Sequence, residues 1–427
     1  MAILLLFACV LALVLLNVPI AVALGVVAVA ALVAAQGLDI LPNLPIVIYN
    51  GATNFPLIAI PLFILAGSIM NASGISRRLI AFASAVLGWI RGGLSIVSIG
   101  TSLFFAEISG SAVADVAALG SVLIPAMKKR GYSSEFAAAV MSSSATLAVI
   151  IPPSIPMILY AVMAETSVVQ LFVAGIVPGI VGGLGLMCMA YWFARRYNFP
   201  VEESFRLDRV WKTFKEALWA FLMPVVILGT IFGGIVTATE GAAMAVVASL
   251  FIGLFVYREL DLAHLKDAVI EGGVQTAVVM LLVAASALLG IHLTEAQVPQ
   301  QLAASVAEFT TNKWAVLAIL NVLFLMLGLF LHSAAAIILT VPVVMPLVNA
   351  VGIDPVHFGL IVTVNLGIGQ QTPPVASVLM TACAIAKADI WEVTKVNVYF
   401  IAVLLAVLLM VTYVPVTGMG LVDFFYR

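Results

Sequence analysis

Long apolar runs alternate along this chain with short clusters of charged residues, prolines and glycines, and the length of each run limits what it can be. Residues 2–35 carry no charge. At about 1.5 Å per residue, one helix of that length would reach about 50 Å, against a hydrocarbon core of roughly 30 Å. Asn17 and Pro19 mark the break and predict spans at 2–16 and 19–35, with one long tilted helix as the alternative. A loop with Asp39, Pro42, Asn43 and Pro45 precedes a span at 55–74, which Gly74 and Arg77-Arg78 close. Residues 79–90 predict a connecting helix that ends at Arg91.

The run at 92–127 lies between Arg91 and Lys128-Lys129-Arg130, with Ala106-Glu107-Ile108-Ser109-Gly110-Ser111-Ala112 at its centre. Each arm is shorter than the roughly 20 residues a span needs, and basic ends favour the cytoplasm. A re-entrant hairpin with a small-residue tip at membrane depth satisfies both conditions. Residues 134–164 then cross once, but Ser142 to Thr146 and Pro152-Pro153 interrupt them. Proline removes an N–H donor and clashes with the preceding turn, so the helix must unwind there. Unwound backbone is tolerated at membrane depth only where it is buried in protein or lines a polar cavity.

A return span at 168–194 leads into a charged linker, 195–216, read as cytoplasmic. Spans follow at 217–236, 240–257 and 268–293, then the polar stretch Thr294 to Gln301. A second hairpin is expected at 314–350 with His332-Ser333 at its centre, a second broken span at 355–386, and a last span at 396–415.

The second half repeats the first. An offset of 221 places Pro125 on Pro346, Gly131 on Gly352 and Pro152-Pro153 on Pro373-Pro374, while Gly67 meets Gly290 at 223. Spacing alone leaves parallel and inverted repeats open, but charge separates them. Lys128-Lys129-Arg130 face Asn349-Ala350-Val351, Arg77-Arg78 face Gln300-Gln301, and Lys387 faces Thr166. Basic residues thus change sides between copies, as inverted repeats require, with Arg91 and Lys313 as the exception. The first repeat is 1–194 and the second 217–427, giving about ten spans and two hairpins with both termini outside.

Composition agrees: 64% hydrophobic and 9% charged, with mean hydropathy +1.24, excludes an ordinary soluble domain, which carries roughly 25% charged residues. A net charge of −2 carries no signal for nucleic acid. Cys9, Cys188 and Cys383 lack metal-ligand spacing and read as buried small hydrophobes without disulfides. The start, Met-Ala-Ile-Leu, has no basic region, which argues against a cleaved signal peptide.

Each repeat supplies a hairpin tip and a broken helix, so carbonyls and hydroxyls suited to Na⁺ sit beside half-helix ends suited to an anion. Ser111, Ser144, His332, Ser333 and Asn365 are the candidates to face a substrate. Glu107 and Asp115 are intramembrane carboxylates that could tune an ion site or couple protons. Glu240 reads as a helix N-terminal charge and His292 as a residue near the membrane surface. No arginine lies near either tip in sequence.

Ile108-Ser109-Gly110-Ser111-Ala112-Val113-Ala114-Asp115, Ile151-Pro152-Pro153-Ser154-Ile155-Pro156, Gly352-Ile353-Asp354-Pro355-Val356-His357-Phe358-Gly359 and Thr372-Pro373-Pro374-Val375 resemble the large membrane subunit of tripartite ATP-independent periplasmic (TRAP) transporters. The resemblance covers essentially the whole chain. It implies an all-α polytopic protein of the bacterial inner membrane, built as a scaffold plus a transport domain that moves as an elevator. It implies no enzyme and no cofactor, but Na⁺-coupled uptake of an organic acid anion such as a C4-dicarboxylate or sialic acid. The implied partners are a small four-helix membrane subunit, here expected as a separate chain, a periplasmic substrate-binding protein and membrane lipid. One Na⁺ site maps onto Ala106, Ser109, Ala148, Ile151 and Pro153, and the other onto Gly328, Gly369, Thr372 and Val375. Ala106 and Ala148 stand where the family pattern has Ser and Gly. Two other classes compete with this reading: a one-component anion symporter without a binding protein, and an intramembrane serine hydrolase using Ser109 or Ser111 with His332.

Overall fold

The structure, a computed structural model, describes residues 2–426 apart from Asn17, Glu202 and Glu203, with backbone only for 2–5, 7, 15, 107–109 and 307–309. Within the described residues every regular element is a helix, and Arg91 and Val201 form an isolated bridge. Among the described residues, eight helices are long and apolar enough to cross a membrane, or nine when Ser134–Ile150 and Ile155–Met163, bent by 40°, count as one span.

The helices divide by what surrounds them. In the most apolar stretch of Leu207–Phe232, 28% of residues are buried and in that of Leu262–Glu295 39%, against 78% in Ser333–Ala350. Lipid tails are as apolar as a protein core, so an outward leucine face carries no penalty and the outer helices stay apolar all round. The same argument corrects the reading of the cysteines: Cys383 is buried, but Cys9 and Cys188 are exposed. An apolar setting in the sequence does not separate a lipid-facing position from an interior one.

Leu262–Glu295 packs against Ile20–Gln36, Leu44–Ala52 and Ala59–Ala72, and Ala238–Phe251 packs against Ala59–Ala72. These helices form the outer body, the scaffold. The inner body holds the two hairpins and two broken helices, with Val168–Arg196 and Ile390–Tyr413 packed on them. Ile75–Leu87 joins the bodies, touching Leu207–Phe232 on one side and Gly93–Ser109 on the other. Val298–Phe309 is its counterpart in the second half and packs on Ser333–Ala350.

Several boundaries differ from the sequence reading, each for a local reason. The region of Pro42 and Pro45 is not all loop, because Pro45 occupies the first turn of Leu44–Ala52, where its missing N–H costs nothing. The charged stretch at 195–216 is helical at both ends: Val168–Arg196 runs into it and Leu207–Phe232 starts within it. The polar stretch around Gln297 is a tight turn between two helices rather than a long loop. Gln297 has φ 53° and caps Val298–Phe309, as Gly74 with φ 72° caps Ile75–Leu87. A final helix, Val416–Tyr426, follows the last span. Glu240 does cap a helix, forming a reciprocal capping box with Thr237.

The inner body is tied across the two halves. Tyr160 donates its hydroxyl to Pro355 O at 2.8 Å, and its ring lies where a side chain on Gly359 would stand. Lys128 Nζ, at the base of the first hairpin, donates to Ala386 O at 2.6 Å, at the end of the second broken helix.

Candidate functional site

The first broken helix runs Ser134–Ala145 and Leu147–Ile150, opens at Ile151 to ψ 132°, and resumes as Ile155–Met163. Pro152 lacks the N–H that would reach Ala148 O in a continuous helix, and Pro153 lacks the one for Val149 O. Ser154 Oγ replaces the latter, donating to Val149 O at 2.8 Å. The first hairpin, Gly93–Ser109 followed by Ala112–Asp115 and Ser121–Lys129, brings its tip onto this break. Gly110 turns with φ 57°, its carbonyl accepts from Ile155 N at 3.4 Å, and a Cβ there would lie 2.9 Å from Pro153 O. Only glycine allows that approach.

The second half repeats the arrangement. Pro355–Gly369 ends at the Pro373-Pro374 break, and Ser377–Ala386 resumes beyond it. Each Pro-Pro peptide is cis. Val375 N donates to Leu329 O at 3.2 Å, so the second hairpin, Lys313–Phe330 with Ser333–Ala350, meets this break too. Thr372 Oγ1 donates to Ile368 O at 2.9 Å.

The structure therefore gathers the residues mapped to each ion site around one tip and one break. Ala106, Ala148, Ile151 and Pro153 are fully interior, while the side chains of Glu107 and Ser109 lie outside the described residues. Gly328 and Gly369 meet backbone to backbone, Thr372 is half-buried and Val375 is exposed. Among the described residues no group of three or more His, Cys, Asp or Glu side chains could hold a metal ion.

Between the two tips and the scaffold lies a cavity of about 1110 Å³. Ser111, His332 and Ser333 line it; Ser144 and Asn365 do not. Ser144 Oγ accepts from Ser102 Oγ at 3.1 Å and donates to Met141 O. Asn365 Nδ2 donates to Asn321 Oδ1 at 2.7 Å and to Ile361 O at 2.9 Å. Ser143, Gln371 and Asn397 form a further buried polar cluster, with Ser143 Oγ 2.7 Å from Asn397 Oδ1 and 3.0 Å from Gln371 Oε1. The hydroxyl-rich run thus joins the two halves of the inner body. His332 is itself a cap, its Nδ1 accepting from Ala334 N at 3.4 Å. Asp115 is buried just past the first tip.

The opposite wall comes from the scaffold side, and sequence proximity to the tips gave no sign of it. Asn71, Arg77, Glu271 and Gln275 contribute its polar surface. Arg77 Nη2 pairs with Glu259 Oε2 at 2.6 Å and Arg78 Nη2 with Glu259 Oε1 at 2.7 Å. The Arg78 guanidinium also lies 3.7 Å from the centre of the Tyr257 ring. The hydrogen bond from Arg78 holds the Glu259 carboxyl below its usual range.

Residues 7–417 match the family model described as Tripartite ATP-independent periplasmic transporter, DctM component. The chain is 44% identical to the isethionate TRAP transporter permease protein DctMQ of Oleidesulfovibrio alaskensis, over 94% of this chain and 64% of that one. It thus spans about two thirds or less of that relative's length. It is 38% identical to the C4-dicarboxylate TRAP transporter large permease protein DctM of Pseudomonas aeruginosa, over 90% of both chains. It is 35% identical to the 2,3-diketo-L-gulonate TRAP transporter large permease protein YiaN of Escherichia coli, over 86% of both. Among solved structures, the YdaH transporter of Alcanivorax borkumensis is similar with TM-score 0.59 over 90% of both chains, at 14% identity, which is a likeness of fold.

Proposed function

Starting from a chain that belongs to the DctM component family of TRAP transporters, a family of transporter permeases and not enzymes, we propose that it imports an organic acid anion across the bacterial inner membrane, with Na⁺ as the coupling ion. The relatives named above for isethionate, C4-dicarboxylates and 2,3-diketo-L-gulonate favour a small organic anion, carboxylate or sulfonate, as cargo. A periplasmic binding protein delivers the cargo, and a small four-helix membrane subunit completes the complex.

The observation that carries this reading is the cavity between the two hairpin tips, each tip seated on a proline break. Oxygen groups at the two breaks bind Na⁺ on either side of the cargo, and Ser111, His332 and Ser333 face the cargo itself. Bound Na⁺ offsets the desolvation of the anion, which gives coupling a physical basis. The inner body moves against the scaffold as an elevator, with Ile75–Leu87 and Val298–Phe309 as connecting arms. Their left-handed caps at Gly74 and Gln297 are points where an arm can change direction.

The test is uptake into proteoliposomes holding this chain with its small subunit, using radiolabelled succinate and isethionate and the cognate periplasmic binding protein. Uptake is expected to require both Na⁺ and the binding protein. Uptake that persists without Na⁺ or without the binding protein would contradict the reading.

A further inference from the structure

Among the described residues, Arg77 and Glu271 are the charged side chains on a cavity wall that is otherwise apolar or neutral. Arg77 and Arg78 share the single carboxylate of Glu259, so the cluster keeps one net positive charge, and low-dielectric surroundings focus its field on anions. The Arg77 side chain is 76% exposed, while Arg78 is 21% exposed and stacked on Tyr257, and both hold Glu259. The two bonds therefore differ in strength. An exposed ion pair is weak and readily exchanged, whereas the covered, stacked one persists. When Arg77 swings away, Glu259 keeps Arg78 as its partner.

We propose that Arg77 is a binding residue for the organic anion on the scaffold side of the cavity, taking its carboxylate or sulfonate in exchange for Glu259. The inference rests on the reading of the cargo as an organic anion and adds a second station for it, away from the hairpin tips. Glu259 is the resting counter-ion that keeps Arg77 against the wall. Glu271, on the scaffold helix Leu262–Glu295 and hydrogen-bonded by Gln275 Nε2 at 3.4 Å, repels the anion and narrows its path towards Arg77.

The experiment needs no knowledge of the natural cargo. In a full-length chain with Cys9, Cys188 and Cys383 replaced by alanine, Ala117→Cys places a thiol at an exposed position on the cavity wall of the first hairpin. Its reaction rates are compared for two methanethiosulfonates, the anionic 2-sulfonatoethyl and the cationic 2-trimethylammonioethyl reagent. Arg77→Gln is expected to lower the anion-to-cation rate ratio at least about threefold at low ionic strength, with the effect shrinking in 1 M salt. Arg77→Lys should retain most of the ratio, and Glu259→Gln, which frees Arg77, should raise it. An unchanged ratio in both Arg77→Gln and Glu259→Gln overturns the proposal, as does a thiol that reacts with neither reagent. Glu259→Gln keeps the test decisive should Arg77→Gln fail to fold. Labelling is independent of uptake, so a shifted ratio without Na⁺-dependent uptake would count against the transport reading alone.

Discussion

Thr146 and Gly367 occupy equivalent places in the two halves of the chain, 221 positions apart, and they touch: Thr146 Oγ1 lies 3.5 Å from Gly367 O. If a two-fold rotation relates the repeats, equivalent residues meet only beside its axis, and this contact is where that axis would pass. A Cβ on Gly367 would lie 2.8 Å from Thr146 Cγ2. Gly367→Ala is therefore expected to destabilise the inner body by about 1–3 kcal/mol. Thr146→Ser, which removes the obstructing methyl, should recover much of that loss. Thermal unfolding in detergent for the two single variants and the double variant measures the coupling, expected at about 0.5–3 kcal/mol.

The two tip-and-break junctions differ in how tightly their backbones approach. A Cβ on Gly369 would lie 2.5 Å from Gly328 Cα, whereas the first half carries buried Ala148 at the place of Gly369 and buried Ala106 beside its own tip. Gly369→Ala and Gly328→Ala should each cost about 1–3 kcal/mol by overpacking. Ala106→Gly and Ala148→Gly should cost only about 0.5–1 kcal/mol through helix entropy. Melting temperatures of the four variants should separate into these two pairs.

Thr372 and Ser142 are both hydroxyl residues near the breaks, but only Thr372 lies beside a proline pair. On the sodium reading, Thr372→Ala raises the Na⁺ concentration for half-maximal uptake by about tenfold, equivalent to about 1.4 kcal/mol. Ser142, fully buried four positions before Thr146, should change it far less when replaced by alanine. Equal shifts in a Na⁺ titration of uptake would remove Thr372 from the ion site.

The Arg77–Glu259–Arg78 cluster has a defined pH window. The folded protein holds Glu259 below its ordinary value of 4.5, chiefly through the Arg78 hydrogen bond. A carboxyl lowered on folding contributes stability above its unfolded pKa and loses it as pH falls through the folded value. The melting-temperature difference between wild type and Glu259→Gln should therefore hold constant from neutral pH down to about 4.5 and shrink below it. A difference that already shrinks between pH 7 and pH 6 would assign it to another group.

The breaks and hairpins were legible because their signals are chemical and local. A proline pair cannot continue a helix, and basic residues flanking runs too short to span imply a turn within the membrane. The facing of residues on wholly apolar helices was not legible. Ser144 and Asn365 have the same polar character as Ser111 and Ser333, yet they bond within the inner body while the other pair lines the cavity. With no polar face, such helices leave no periodicity from which to read direction. Arg77 was missed for a topological reason, since the scaffold brings it to the cavity from outside either tip motif. Gln297 gave no sign of its left-handed backbone, because the conformation belongs to the turn between two helices and not to the residue type.

The bond from Lys128 to Ala386 bears on which pieces can travel separately. A gate made by the first hairpin swinging alone would have to surrender a charge-assisted hydrogen bond moored in the opposite half of the chain. The base of that hairpin is thus a tether, and a spectroscopic ruler stretched between the exposed neighbouring positions 129 and 387, which leaves Lys128 in place, should read one length throughout the working cycle.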